Sequence, residues 1–145
     1  MKKTLIILLL FVPYICNCQI PKNANTIIIT DTLNKAKLYS MATEILFNNG
    51  YGILNSDKEM GTITTTDKPF SKGKIRLLLL VKDNKIVIHG DYDPGITIDL
   101  GGVSTTFNWM RIENYGMKRS PNIAAWNEMQ KVSDAIPGQK SYLIN

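Results

Sequence analysis

Cysteine and histidine are nearly absent from this chain of 145 residues, which has two of the first and one of the second. Both cysteines, Cys16 and Cys18, fall within the first eighteen positions. The rest of the chain therefore offers no disulfide, no thiolate metal ligand and no thiol nucleophile. One imidazole, His89, falls short of the ligand count of a zinc site. No serine occupies a nucleophile-elbow context. Gly101-Gly102 follows a predicted strand without a phosphate-loop pattern. Asp91, Asp93 and Asp99 invite a calcium reading, but 91–95 lacks the later ligands and closing glutamate of an EF-hand. An aspartate before Pro94-Gly95 is first a turn former. The carboxylate pairs Asp57/Glu59 and Glu113/Glu128 give no basis for glycosidase chemistry, which needs a set separation across a cleft. These absences point to a non-enzyme without cofactor or metal.

Concentrated charge is also lacking. The formal charge is +5, and removing Lys2 and Lys3 lowers it to +3. The one basic cluster is Lys68, Lys72, Lys74 and Arg76. Nucleic-acid binders concentrate such charge and interleave it with aromatics, so nucleic acid is not an expected partner.

The long apolar run of the chain is at its start. Lys2 and Lys3 precede an almost unbroken apolar stretch over 4–12, closed by Pro13 and then by Cys16, Asn17 and Cys18. This is the layout of a secretory signal peptide, and the run is well short of the roughly 20 residues that span a bilayer. Simple cleavage before Gln19, lipidation of Cys18 and retention as an anchor are the three possible fates. Ile15 at the −3 position makes Cys18 the better acylation candidate, although neither cysteine has the usual lipobox before it. The expected organisation is a signal peptide over 1–18, a short tether over 19–25 and one domain over 26–145. The expected location is periplasmic or secreted, with membrane association only through a lipid on Cys18.

Periodicity supplies the elements. The β-branched stretch 26–30 reads as a strand. Asp31 or Thr32 can cap a helix over 33–49 whose Leu38, Ala42, Ile45 and Leu46, with Tyr39, share a face. Asn49-Gly50 ends it. Strands follow over 51–55 and 60–66, then a loop over 69–73. A hairpin of 74–82 and 85–92 turns at Asp83-Asn84. A short strand over 96–100 and a longer one over 103–112 come next, the latter with Val103, Phe107 and Trp109 on one face. Ser120-Pro121 starts a second helix. Ala125, Met129, Val132 and Ile136, joined by Trp126, form its buried stripe, and Pro137-Gly138 stops it. The order β-α-β-β-β-β-(β)β-α predicts an α+β fold, one mostly antiparallel sheet with both helices on one face.

The stretch 38–66 carries a family likeness. A helix ending in Ile45-Leu46-Phe47-Asn48-Asn49-Gly50-Tyr51, a strand, and then Asp57-Lys58-Glu59-Met60-Gly61-Thr62-Ile63 resembles the DUF4468-type domains of Bacteroidetes. It is also similar to the repeats of the outer-membrane assembly lipoprotein BamC. The resemblance implies a TBP-like, or helix-grip-like, α+β fold and a non-enzymatic role in the cell envelope.

If the helices cover the Ile75/Leu77/Leu79/Ile86/Ile88 face, the opposite face carries Arg76, Leu78, Leu80, Val87, His89, Thr97 and Asp99. Leu78, Leu80 and Val87 then form an apolar patch inside a polar rim, a pattern that marks binding surfaces. The competing reading is that the tail 141–144 or a second copy covers the patch. His89 has Val87 and Asp91 as same-face neighbours, which makes a carboxylate-oriented base conceivable, with a structural histidine as the simpler reading. The expected function is an exported, non-catalytic domain that binds another envelope protein through its sheet face or edge. The alternative is a small apolar or lipid-like ligand held between sheet and helix.

Overall fold

The computed structural model describes residues 20–99, 101–102 and 104–145. The expected signal peptide with Cys18, together with Leu100 and Val103, lies outside the described residues. Among the described residues, ten strands and two helices follow in the order β1 (Thr26–Thr30), α1 (Lys35–Asn48), β2 (Ile53–Asp57), β3 (Thr62–Thr65), β4 (Lys68–Phe70) and β5 (Gly73–Lys82). They continue with β6 (Lys85–Asp93), β7 (Thr97–Asp99), β8 (Ser104–Thr106), β9 (Met110–Arg111), α2 (Pro121–Ala135) and β10 (Gln139–Leu143). The protein is α+β, with an antiparallel main sheet ordered β10-β1-β6-β5-β3-β2. β4 extends it alongside β5, and β9 alongside β6, while β7 and β8 form a separate ribbon.

Strict alternation on β5 and β6 decides where the core lies. Ile75, Leu77, Leu79 and Val81 on β5, and Ile86 and Ile88 on β6, are all buried. Leu38, Ala42 and Leu46 of α1 and Ala125, Met129 and Val132 of α2 pack against them in the same cluster. Both helices thus cover one face, and each buried Leu, Ile or Met contributes roughly 1.5–3 kcal/mol of apolar transfer before entropy is set against it.

The helix termini follow from local chemistry. Ser120 Oγ accepts from the Ile123 N–H at 3.3 Å with Pro121 in the first turn, as its sequence signature predicts. At α1 the cap is Asn34, whose Oδ1 accepts from the Lys37 N–H at 3.1 Å. Asp31 instead accepts from the Leu33 N–H at 3.0 Å, closing a turn before the helix. The Gly50-Tyr51 and Asp57–Gly61 signature is a folding device. Gly50 takes φ +76° just past the helix, and Tyr51 is buried behind it. Gly61, at φ +80°, donates its N–H to the Asp57 carbonyl and accepts from the Val81 N–H at 2.7 Å.

Four segments depart from expectation. Part of the stretch read as a loop over 69–73 is β4, which pairs Lys68–Phe70 with the start of β5. Its Pro69 is tolerated because the strand is short and peripheral. The long strand expected over 103–112 is two strands on different sheets. β8 joins the exposed β7 ribbon, and β9 returns to pair Asp91 and Tyr92 with Arg111 and Met110. Residues 139–143 form β10 along β1, with Thr26 opposite Leu143 and Thr30 opposite Gln139. Finally, the segment read as a tether is held against the domain: Ala24 and Asn25 are buried, and Asn25 donates its N–H to the Leu143 carbonyl at 2.9 Å.

Candidate functional site: the open face of the sheet

Alternation that buries one set of side chains turns the other set outward. Arg76, Leu78 and Leu80 of β5 and Val87, His89 and Asp91 of β6 stand together on the face that α1 and α2 leave uncovered. Register pairs Leu80 with Val87, Leu78 with His89 and Arg76 with Asp91. Ile28 of β1 lies opposite Val87 and extends the apolar row. Thr62 and Thr64 of β3, opposite Leu80 and Leu78, give it a polar border. Leu78 is 41% exposed at the middle of this face, whereas Leu80, Val87 and Ile28 are half-buried.

All five residues proposed from sequence, Arg76, Leu78, Leu80, Val87 and His89, therefore meet on one surface. Thr97 and Asp99 do not join them. They lie on the β7–β8 ribbon, since the chain leaves the main sheet after β6. The tail does not lie over the patch either, because β10 extends the sheet sideways from β1.

Beside the apolar row lies a hollow of about 240 Å³ lined by Thr64, Arg76, Leu78, His89, Asp91 and Arg111 among others. Its floor is electrostatically structured. Arg76 directs Nε and Nη2 to Asp91 Oδ2, each at 3.4 Å. The Arg76 guanidinium also stacks on the Trp109 ring, 4.2 Å from its centroid. Arg111 reaches His89 from β9, with Nη2 2.6 Å from Nδ1. A guanidinium can only donate, so Nδ1 is the bare acceptor nitrogen and the neutral ring carries its proton on Nε2. Thr26 Oγ1, which donates to Asn25 Oδ1, lies 3.0 Å from the same Nδ1. Burial and then the Arg111 charge hold the imidazole below its ordinary pKa, against the opposing pull of Asp91 and the Asn25 backbone.

Arg111 and Trp109 had no sequence signal pointing to this site. Their position depends on β9 pairing with β6 across an excursion through the ribbon, which no local period encodes. Trp109, expected to share a strand face with Phe107, instead covers Arg76.

Other sequence candidates have local roles. Asp93 Oδ1 accepts from the Gly95 N–H at 2.8 Å, the turn role expected of it. Glu128 binds Lys68 and Lys131 at 3.3 and 2.5 Å. Among the described residues, no group of three or more His, Cys, Asp or Glu is placed to hold a metal ion. Among the same residues, no helix is long and apolar enough to cross a membrane. Compared with protein-family models and with curated proteins, the chain matches none of either.

Proposed function

We propose that this chain is an exported, non-catalytic domain that docks another envelope protein on the open face of its sheet. The observation that carries the reading is Leu78, exposed at the centre of a face bordered by Arg76, His89, Thr62 and Thr64 and left uncovered by both helices. An apolar centre inside a polar rim is the layout of a protein contact surface. The face is favoured over the edges because exposed Leu78 and half-buried Leu80, Val87 and Ile28 are contiguous there.

The amino-terminal pattern of Lys2, Lys3 and the apolar run over 4–12 supports export. The likeness of 38–66 to DUF4468-type domains and BamC repeats supports an envelope role. Cys18 is the candidate for a lipid anchor. The mass of the mature amino terminus decides between a free Gln19 and an acylated Cys18.

The test is a Leu78→Glu plus Leu80→Glu variant, cross-linked in its native envelope and purified through a carboxy-terminal tag. It is expected to keep its circular-dichroism spectrum and cooperative melt while losing a partner that the wild type captures. Retention of that partner removes the face from the interaction, and outright unfolding contradicts an open patch.

A further inference from the structure

The open face is not neutral, and its charges are arranged. On β5 the outward positions run Lys74, Arg76, Leu78, Leu80 and Lys82, and on β6 they run Lys85, Val87, His89, Asp91 and Asp93. Cations therefore flank the apolar centre at both ends, Lys82 and Lys85 at the hairpin tip and Arg76 with Arg111 at the hollow. Lys82 lies six residue steps along the strand from Arg76, which is roughly 20 Å at about 3.3 Å per residue.

The hollow itself holds an excess of positive charge. Asp91 is the carboxylate that lines it, and its ion-pair contact at 3.4 Å is with Arg76. Among the described residues, Arg111 makes no ion pair within 4.0 Å. Its hydrogen bond goes to a neutral imidazole, which accepts a proton donor without compensating the charge. Trp109 and Asp91 fix Arg76 from the ring face and the edge, and His89 fixes Arg111. Two guanidinium groups are thus positioned before any ligand arrives, and the forked geometry of guanidinium suits a planar carboxylate.

Resting on the docking reading above, we infer that the partner presents an extended segment with an aliphatic centre and an Asp or Glu side chain. The acidic side chain enters the hollow between Arg111 and Arg76. The aliphatic side chains lie over Leu78, Leu80 and Val87, and a second acidic residue meets Lys82 or Lys85. Arg111 is the specificity-determining group, because an amide in place of the carboxylate leaves its charge uncompensated.

The experiment titrates the isotope-labelled protein with the capped peptide Glu-Ser-Leu-Ser-Val-Ser-Glu, whose acidic and aliphatic side chains share one face of an extended chain, and with its twin Gln-Ser-Leu-Ser-Val-Ser-Gln, followed by NMR. The acidic peptide is expected to give saturable shifts at Leu78, His89, Arg76 and Arg111. Its affinity should exceed that of the amide twin at least tenfold and fall as salt rises. Arg111→Met should bring the acidic peptide down to the level of the twin, and Arg111→Lys should lie between. Equal affinity for the two peptides, no binding of either, or acidic binding indifferent to Arg111→Met overturns the inference. The spectrum of each variant reports its fold directly. A separate arm distinguishes the two readings. If Arg111→Met retains a partner that the Leu78→Glu plus Leu80→Glu variant loses, the docking face stands and the carboxylate subsite falls. If the wild type captures no partner, the docking reading itself falls.

Discussion

Arg111 donates to His89 across the β6–β9 pair, with Nη2 2.6 Å from Nδ1, and so commits the one histidine of the chain to its neutral form. Protonation would place a hydrogen on the nitrogen that faces the guanidinium and set two cations against each other. Burial adds to this preference, and the imidazole pKa lies below its ordinary 6.5.

A pH dependence of stability follows, with a definite sign. Because the folded ring resists a proton that the unfolded ring accepts, the unfolded state binds more protons as pH drops below 6.5. The His89 contribution is complete above that value and is lost as pH falls from it toward the lower folded pKa. Unfolding midpoints measured between about pH 5 and 7 should rise with pH in the wild type, and the slope should flatten in His89→Gln. An unchanged slope in the variant contradicts this placement of the proton.

Tyr51 carries a buried hydroxyl that has no hydrogen-bond partner among the described residues. Burial and then the Glu128 charge push its pKa above the ordinary phenol value. The ring is held under Lys68, whose Nζ is 4.4 Å from its centroid. Tyr51→Phe keeps the ring and removes the unpaired group, so thermal unfolding should show neutral to mildly stabilising behaviour, within about 1 kcal/mol. A loss of 2 kcal/mol or more on the same scale would reveal a partner for the hydroxyl.

Gly61 has two independent reasons to be glycine. Its φ of +80° disfavours a side chain, and a Cβ there would collide with the Val81 carbonyl oxygen. That carbonyl belongs to β5 and cannot swing aside as a side chain would. Gly61→Ala should destabilise the domain by about 2 kcal/mol or more in denaturant unfolding, and a change within about 0.5 kcal/mol would refute the assigned backbone geometry.

The two faces of the hairpin should respond unequally to truncation. Ile88 is fully buried and Leu78 is 41% exposed. Ile88→Ala is expected to cost about 2–5 kcal/mol, and Leu78→Ala less than about 1 kcal/mol. Comparable losses at the two positions would mean that something covers the outer face.

The alternation on β5 and β6 was legible because both strands are long and one face is fully buried. Ser120-Pro121 and the stripe through Ala125, Met129 and Val132 were legible because helix signals are local. β10 was not, since an edge strand reading Gln-Lys-Ser-Tyr-Leu shows little alternation. Its Tyr142 packs at a tilt against Trp126, 6.2 Å between centroids, through a contact that only the folded chain creates. The break of 103–112 into β8 and β9 was hidden for a related reason. Exposed Ser104–Thr106 has β-branched composition without a core to face, and composition alone does not say which sheet a strand joins. Consequently the apolar half of the candidate site was visible in advance, and the Arg111–Trp109 half was not.

The most direct measurement places a photo-cross-linking amino acid at Leu78 in cells that produce the protein, with controls at Ala36 and Asn127, exposed positions on the two helices. The account predicts one discrete protein adduct from position 78 and none of that mass from either helix. Adducts of equal yield from the helices, or none from position 78, would contradict docking on the open face.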